Sequence, residues 1–432
     1  MKKRYKFVLI PLAVLTLLLV VSALVVDWHG KRTLERSIDA VVAEGGFRDF
    51  SGFARPELAD DQNAATAWIE AAVLAWGEPD DDWNRELTAE QEALSKPQHT
   101  EIELLTTTIE TQQEAVEKAW GAADRSAVHW PIDYNDPQSW IDSDYLGQTR
   151  QVGRLLAADT RVALSRGDYA RAEQSLLAIL ALSDDASAPP ILINTLVAIS
   201  LDSLAMDVIS NSDIHLKRDF PMVRDILESQ QYESKLSRAL LGEIPYGLAF
   251  IQSDDRETAR LSRWPSRLLT QYDMAYYINA MSRISDAANK PFAEANARLS
   301  QINDSPGFPY LISQIIMPAT GATIRTARTV SAKRDLLLLN DEIVEISASE
   351  SASSWASRLE LPDDPLTGLP FRLWLAENGG FVLWSIAAEN PAHGKRRFEL
   401  VCQTGTEALP PELETFRQEW EDFSPRAQRP VE

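Results

Sequence analysis

The pattern of apolar positions opens on one unbroken run. Residues 7–26 carry no charge, and only Pro11, Thr16 and Ser22 interrupt the apolar sequence. As a helix the run is about 30 Å long, the thickness of a bilayer's hydrocarbon core. Lys2, Lys3, Arg4 and Lys6 precede it, whereas only Lys31 and Arg32 follow closely, offset by Asp27. The positive-inside rule then predicts a single transmembrane anchor with the N-terminus in the cytoplasm and the bulk of the chain in the periplasm. A cleaved signal peptide is the competing reading. Its apolar region normally spans about 7–15 residues, and the small-residue site around Ser22 and Ala23 falls inside this longer run.

Beyond the anchor the spacing is helical. Leu34, Ile38, Val41 and Val42 fall on one helical face that Gly45 and Gly46 end. Asp60 or Asp61 is placed to cap a helix through Ala64, Ala67, Trp68, Ala71, Ala72 and Leu74, which Gly77 and Pro79 stop. A helix over 102–120 follows. Residues 146–165 and 169–182 read as an antiparallel hairpin, because Gly167 suits a helix C-terminus and Asp168 an N-cap. After Pro189 and Pro190, residues 191–209 form a helix without a full polar face, which predicts burial. Further helices are expected over 220–241, 256–261, 265–290, 292–301 and 324–346, interrupted by Pro306, Gly307 and Pro309. After a Ser-rich stretch, 371–376 and 381–387 read as a β-hairpin turned by Glu377, Asn378, Gly379 and Gly380. A third strand is expected over 397–402. The fold class is therefore mainly α: anchor and basic flank over 1–30, a helical body over 31–346, a small β module over 347–405 and a partly disordered tail over 406–432.

Two resemblances attach to these elements. Gly167, Tyr169 and Ala172 are similar to the turn and second helix of a tetratricopeptide repeat. Ile179 and Asp184 depart from that pattern and no second copy begins at Leu201, so it implies helical-hairpin packing alone. Asp364, Pro365, Leu366, Thr367, Gly368, Leu369 and Pro370, then Phe371–Leu373 and Gly379–Ser385, resemble the closing module of type II secretion pseudopilins. With its anchor and helical body, the chain also resembles large, poorly characterised membrane-anchored bacterial proteins carrying that module. The pseudopilin leader and the acid that follows it are not reproduced, nor are the calcium-binding residues after the last hairpin. Filament entry and calcium binding are thus not implied. Asp364, Pro365 and Gly368 also make sense as a turn: Asp bonds back, Pro fixes φ and Gly reaches positive φ.

Charge narrows the partners. Lys and Arg total 42 against 64 Asp and Glu, a net of −22, which repels nucleic acid and anionic lipid headgroups. Cys402 is the one cysteine, so no internal disulfide forms, and it reads as a small core residue.

Catalytic motifs are sparse. His29, His99, His129, His215 and His393 have no i, i+4 spacing. P-loop, dinucleotide-binding and nucleophile-elbow patterns do not occur, and the spacing for an EF-hand fails. No cofactor or metal is assigned. Asp133, Asp136, Asp142 and Asp144, interleaved with Trp130, Tyr134, Trp140 and Tyr145, are the most site-like segment, since glycan cleavage needs paired carboxylates and aromatic platforms. The alternative is a loop pinned to a helical core by its aromatics. Glu243, after Gly242, is a second candidate, with Arg238 as its structural partner. The leading expectation is a non-enzymatic, membrane-anchored assembly or interaction module of the cell envelope with a protein partner. A glycan-active enzyme and a pseudopilin-like secretion component are the alternatives.

Overall fold

In the computed structural model the chain is mainly helical, with a small three-stranded antiparallel sheet. The structure describes residues 2–56, 58–77, 87–135, 144–212, 214–252, 266–303, 311–347, 352–356, 358–376, 378, 380–389 and 401–404. The expected helix over 256–261, the Pro306–Pro309 interruption and the tail over 406–432 lie outside them.

The first helix, α1 (Lys2–Ala43), joins the apolar run and the amphipathic stretch without a break. It ends where expected, at Gly45 with φ +91°. Leu34, Ile38 and Val41 pack against the core, but Val42 is exposed. Four short helices follow: α2 (Ala64–Trp76), α3 (Ala89–Ser95), α4 (Ile102–Thr111) and α5 (Gln113–Ala123). The cap of α2 is Asn63, not Asp60 or Asp61. Its Oδ1 accepts from the Ala65 N–H at 3.1 Å and the His129 N–H at 2.8 Å, while its Nδ2 donates to the His129 carbonyl at 2.9 Å. A carboxylate has no donor for that last bond. The helix expected over 102–120 is divided at Gln112, whose N–H is shared between the Thr108 and Ile109 carbonyls.

The body is built on α6 (Tyr145–Ser165), α7 (Tyr169–Ala186) and α8 (Leu192–Ser210). The expected hairpin forms. Gly167 has φ +73°, the Asp168 N–H reaches the Ala163 carbonyl and the Gly167 N–H the Leu164 carbonyl, and the Asp168 carboxylate caps Arg171 at 3.1 Å. One buried ionic knot locks α5, α6 and α7. Asp159, fully buried, accepts from Arg171 Nε at 2.9 Å and Ser175 Oγ at 2.6 Å. Trp120 Nε1 donates to Ser175 Oγ at 2.9 Å, and the Arg171 guanidinium lies 5.4 Å from the Trp120 ring. The charge is buried but has every partner it needs.

Around α8 wrap α9 (Leu216–Asp219), α10 (Pro221–Ser229), α11 (Tyr232–Gln252), α12 (Ser266–Ala288), α13 (Phe292–Asn303) and α14 (Leu311–Ser347). The helix expected over 220–241 is split at Gln230, which takes extended backbone and gives its carbonyl to Arg334. Pairing of Ser237 with Ser285, and of the Glu243 carbonyl with the Tyr277 hydroxyl, sets α11 antiparallel to α12.

The sheet has the order β1 (Arg372–Leu375), β2 (Phe381–Trp384), β3 (Val401–Thr404), with Leu375 opposite Phe381 and Phe381 opposite Thr404. Its core includes Ala332, Leu336, Leu339 and Ile343 of α14, so the packing crosses the 346/347 boundary expected from sequence. A short helix, α15 (Ala352–Ala356), forms within the Ser-rich stretch and brings Trp355 onto Phe381. Cys402 is half-buried against this cluster, and burial pushes its thiol up to about 12.

Two glycines permit close approaches, one between helices and one of α11 on the segment before α8. A Cβ on Gly153 would lie 2.2 Å from Leu201 Cδ2, and one on Gly242 would lie 1.7 Å from the Pro190 carbonyl oxygen. Leu201 can rotate, whereas a backbone carbonyl cannot. Gly242→Ala is therefore expected to cost about 2–3 kcal/mol in chemical denaturation. Gly121→Ala, in open space on α5, is expected to be neutral or stabilising by up to about 1 kcal/mol. Equal effects at the two positions would refute the close-approach argument.

Candidate functional site

The most unusual surface is the first half of α1. Ten large apolar side chains from Val14 to Val26 stand 38–64% exposed. Soluble surfaces rarely expose a contiguous apolar patch beyond a few hundred Å². Among the described residues two helices are long and apolar enough to cross a membrane: α8 has 61% of its apolar window buried in the body, whereas the stretch beginning at Val14 has 6%.

Where this surface ends, α1 meets α12. Gly30 is buried, and a Cβ there would lie 2.7 Å from Gln271 Oε1, so glycine permits the approach. Tyr272 stacks on His29 with ring centroids 6.0 Å apart, and its hydroxyl lies 3.1 Å from His29 Nδ1. Gln271 Nε2 donates to Asp27 at 3.3 Å. Farther along, Asn279 Nδ2 donates to Ser37 Oγ at 3.1 Å, and Ser282 Oγ donates to Glu44. The two helices thus run parallel. Trp28 projects outward, 58% exposed, with the Arg32 guanidinium 5.4 Å from its ring. An aromatic collar with a basic residue at the foot of an apolar helix is the arrangement found at membrane interfaces.

The acidic and aromatic segment is arranged differently from a catalytic cleft. Trp130, Tyr134 and Tyr145 are buried. Trp130 packs on Tyr145 at 4.9 Å and donates Nε1–H to the Asp185 carbonyl at 2.8 Å, while Tyr134 packs on Phe50 and Phe53. Asp133 and Asp144 are exposed, and Asp133 accepts from the Asn135 N–H at 2.9 Å in a local turn. Asp136, Trp140 and Asp142 lie outside the described residues. The aromatics therefore face the core and form no platform beside the two described acids.

Three carboxyls that matter most lie around α8, Asp202 fully buried and Glu243 and Asp185 half-buried. Glu243 sits inside α11, not at a helix end, and takes no ion pair from Arg238 among the described residues. Its Oε2 accepts from the Leu192 N–H at 3.1 Å, capping α8 from another helix where Ile191 has no capping oxygen. Burial raises its pKa to about 7, against the pull of that N–H. Asp185 accepts from Trp68 Nε1 at 2.8 Å, and burial raises it to about 6. Asp202, in the middle of α8, is fully buried with neither oxygen in a complete hydrogen bond. Burial raises it to about 7, while Lys235, Ser183 and Tyr232 pull it down and Asp184 pushes it up. The facing Tyr232 phenol is driven well above its ordinary value, first by burial and then by Asp202. Only Gly242 beside Glu243 hinted at these groups in sequence, because their burial comes from long-range packing. Among the described residues no group of three His, Cys, Asp or Glu is placed to hold a metal.

Comparison of the chain with protein-family models, curated proteins and solved structures finds no match.

The buried carboxyls fix the sign of a pH effect. In the unfolded chain they titrate near 4; in the fold they hold their protons to about 6–7. The folded state then binds more protons between those values, and their contribution to stability is lost as pH rises through the window. Asp202→Asn is expected to be more stable than the parent at pH 8 by roughly 4 kcal/mol, with the difference vanishing near pH 4. Urea unfolding of both proteins across pH 4–8 reads the difference; a gap that grows toward low pH would contradict it.

Proposed function

We propose that the protein is a membrane-tethered helical module of the cell envelope. The apolar half of α1 crosses the inner membrane, its basic flank is cytoplasmic, and the body is periplasmic and meets a protein partner. One observation carries the tether: the exposed apolar length of α1 passes without a break into a length docked on α12. Val26, Asp27 and His29 hydrogen-bond to α12, so the apolar length leads directly into the docked length. Trp28 and Tyr272 fit the headgroup level, where amphipathic rings are favoured. The acidic body, with a net charge of −22 for the whole chain, is held off anionic headgroups by repulsion. That leaves most of its surface to protein partners.

Neither alternative has support of this kind. The two described acids of the glycan-cleaving reading are exposed, with its described aromatics turned inward. The pseudopilin-like reading rests on the Asp364–Pro370 turn and the two strands after it, in which Asp364 bonds to Leu366, Thr367 and Ser385.

Cell fractionation tests the tether. The intact chain should sediment with membranes and resist carbonate extraction, and deletion of residues 2–26 should release it. An intact mass lacking the first 22 or so residues, or recovery in the soluble fraction, would sink the reading. Crosslinking in intact cells should recover a stable protein partner. A strictly solitary protein would leave the tether standing and remove the interaction role.

A further inference from the structure

A cleft of about 380 Å³ lies between the helical body and the β module. Gln230, Gln231, Glu233 and Ser234 of the α10–α11 junction form one wall, residues 289–292 leading into α13 another, and Arg328 and Arg334 of α14 the floor, with Pro365 closing the end. Its volume falls in the range of small-ligand sites.

The cations of this cleft are not equally satisfied. Lys290 has Asp286 at 3.3 Å, and Arg334 has Asp335 at 2.6 Å. Arg328, 5% exposed, has no carboxylate within ion-pairing distance among the described residues. Its Nη2 donates to the Lys290 carbonyl at 2.9 Å, its Nη1 approaches the Pro365 carbonyl at 3.4 Å, and its Cζ lies 5.5 Å from the Phe292 ring. Its Nε is buried with no partner. Glu233, on the wall of the same cleft, acts on it beyond ion-pairing distance and accepts from Ser331 Oγ at 2.7 Å.

A buried charge is ordinarily paired, or it neutralises. Burial does lower the Arg328 pKa, but a guanidinium does not lose its proton in proteins. The missing partner must be an anion or nothing. A second feature points the same way. Helix α13 (Phe292–Asn303) begins at the cleft, and the first N–H groups of a helix have no intrahelical acceptor, so they favour negative charge. Glu294 in that first turn is drawn off by Arg298 at 2.7 Å.

We propose that this cleft binds the carboxylate or phosphate end of a small ligand, with Arg328, Lys290 and the first turn of α13 as its anion-binding elements. Gln231, Ser234 and Asn289, all exposed at the cleft, offer polar contacts to the rest of the ligand. Because the Asp364–Pro370 turn forms one end of the cleft, a bound anion also bridges body and β module. This site is independent of the membrane tether.

Calorimetric titration of the full chain in detergent, with inorganic phosphate and separately with malonate at ionic strength fixed by sodium chloride, tests the proposal. Saturable one-to-one binding of either probe is expected, phosphate alone identifying a phosphate end and malonate alone a carboxylate. Arg328→Gln should weaken it at least about tenfold, the loss of one charge-assisted contact. Lys290→Gln, at a half-exposed side chain, should weaken it without loss of helical circular dichroism, and so decides the matter if the Arg328 variant does not fold. Absence of saturable binding by both probes, or unchanged affinity in Lys290→Gln together with a folded Arg328→Gln, would overturn the proposal.

Discussion

Because α1 continues without a break from its exposed apolar half into the half that packs on α12, whatever fixes the first half fixes the body as well. A flexible linker would let an anchored domain sample many orientations. Here Gly30 brings the two helix backbones together, and Ser37 and Glu44 extend the contact to the far end of α12. Under the proposed tether, the ends of α11 and α12 nearest residue 27 face the bilayer, since α12 runs parallel to α1 and α11 antiparallel to α12. The hairpin of α6 and α7 shares one hydrophobic core with Val41 of α1.

Buried polar groups fall into two kinds, and the contrast is informative. Asp159 has a cation and a hydroxyl, and Arg171 adds a bond to Gln113 and the face of Trp120. Such a closed network rigidifies the layer it crosses. Asp202, Tyr232 and Arg328 are left with unpartnered atoms. Asp202 can reduce its cost by holding a proton. Arg328 has no such escape, which is why the same degree of burial carries a different meaning at the two residues.

Much of the architecture was legible from sequence because it is encoded locally. The Gly167–Asp168 turn, the Gly45 and Gly77 stops and the buried character of α8 each follow from a few adjacent residues. So does the Asp364–Pro370 turn, where Gly368 has φ +67° and the Asp364 carboxylate accepts from the Leu366 N–H at 2.8 Å. What was hidden is long-range. Asn63 displaced two nearby aspartates as the cap because its side-chain amide also pairs with the backbone of His129, 66 residues away. Gln112 and Gln230 break helices that periodicity runs straight through. Trp130 and Tyr134 can be read from sequence as platforms or, more readily, as core, and the position of Asp185, Phe50 and Phe53 decides for the core.

The Asp364 turn shows how a local motif acquires a global role. Asp364 is fully buried; within its turn it accepts from Thr367 Oγ1 at 2.9 Å, and beyond it from Ser385 Oγ, just past β2, at 2.6 Å. The turn is thereby tied to the central strand of the sheet, which packs on α14. On its other side Gly368 rests on Phe292, where a Cβ added to the glycine would lie 3.4 Å from the Phe292 Cβ, and the Pro365 carbonyl faces Arg328. One carboxylate thus sets the position of the sheet relative to the start of α13, and with it the geometry of the cleft. A spacing that sequence reads as a self-contained β-turn is, in the fold, the part that couples the β module to the buried, unmatched guanidinium of the body.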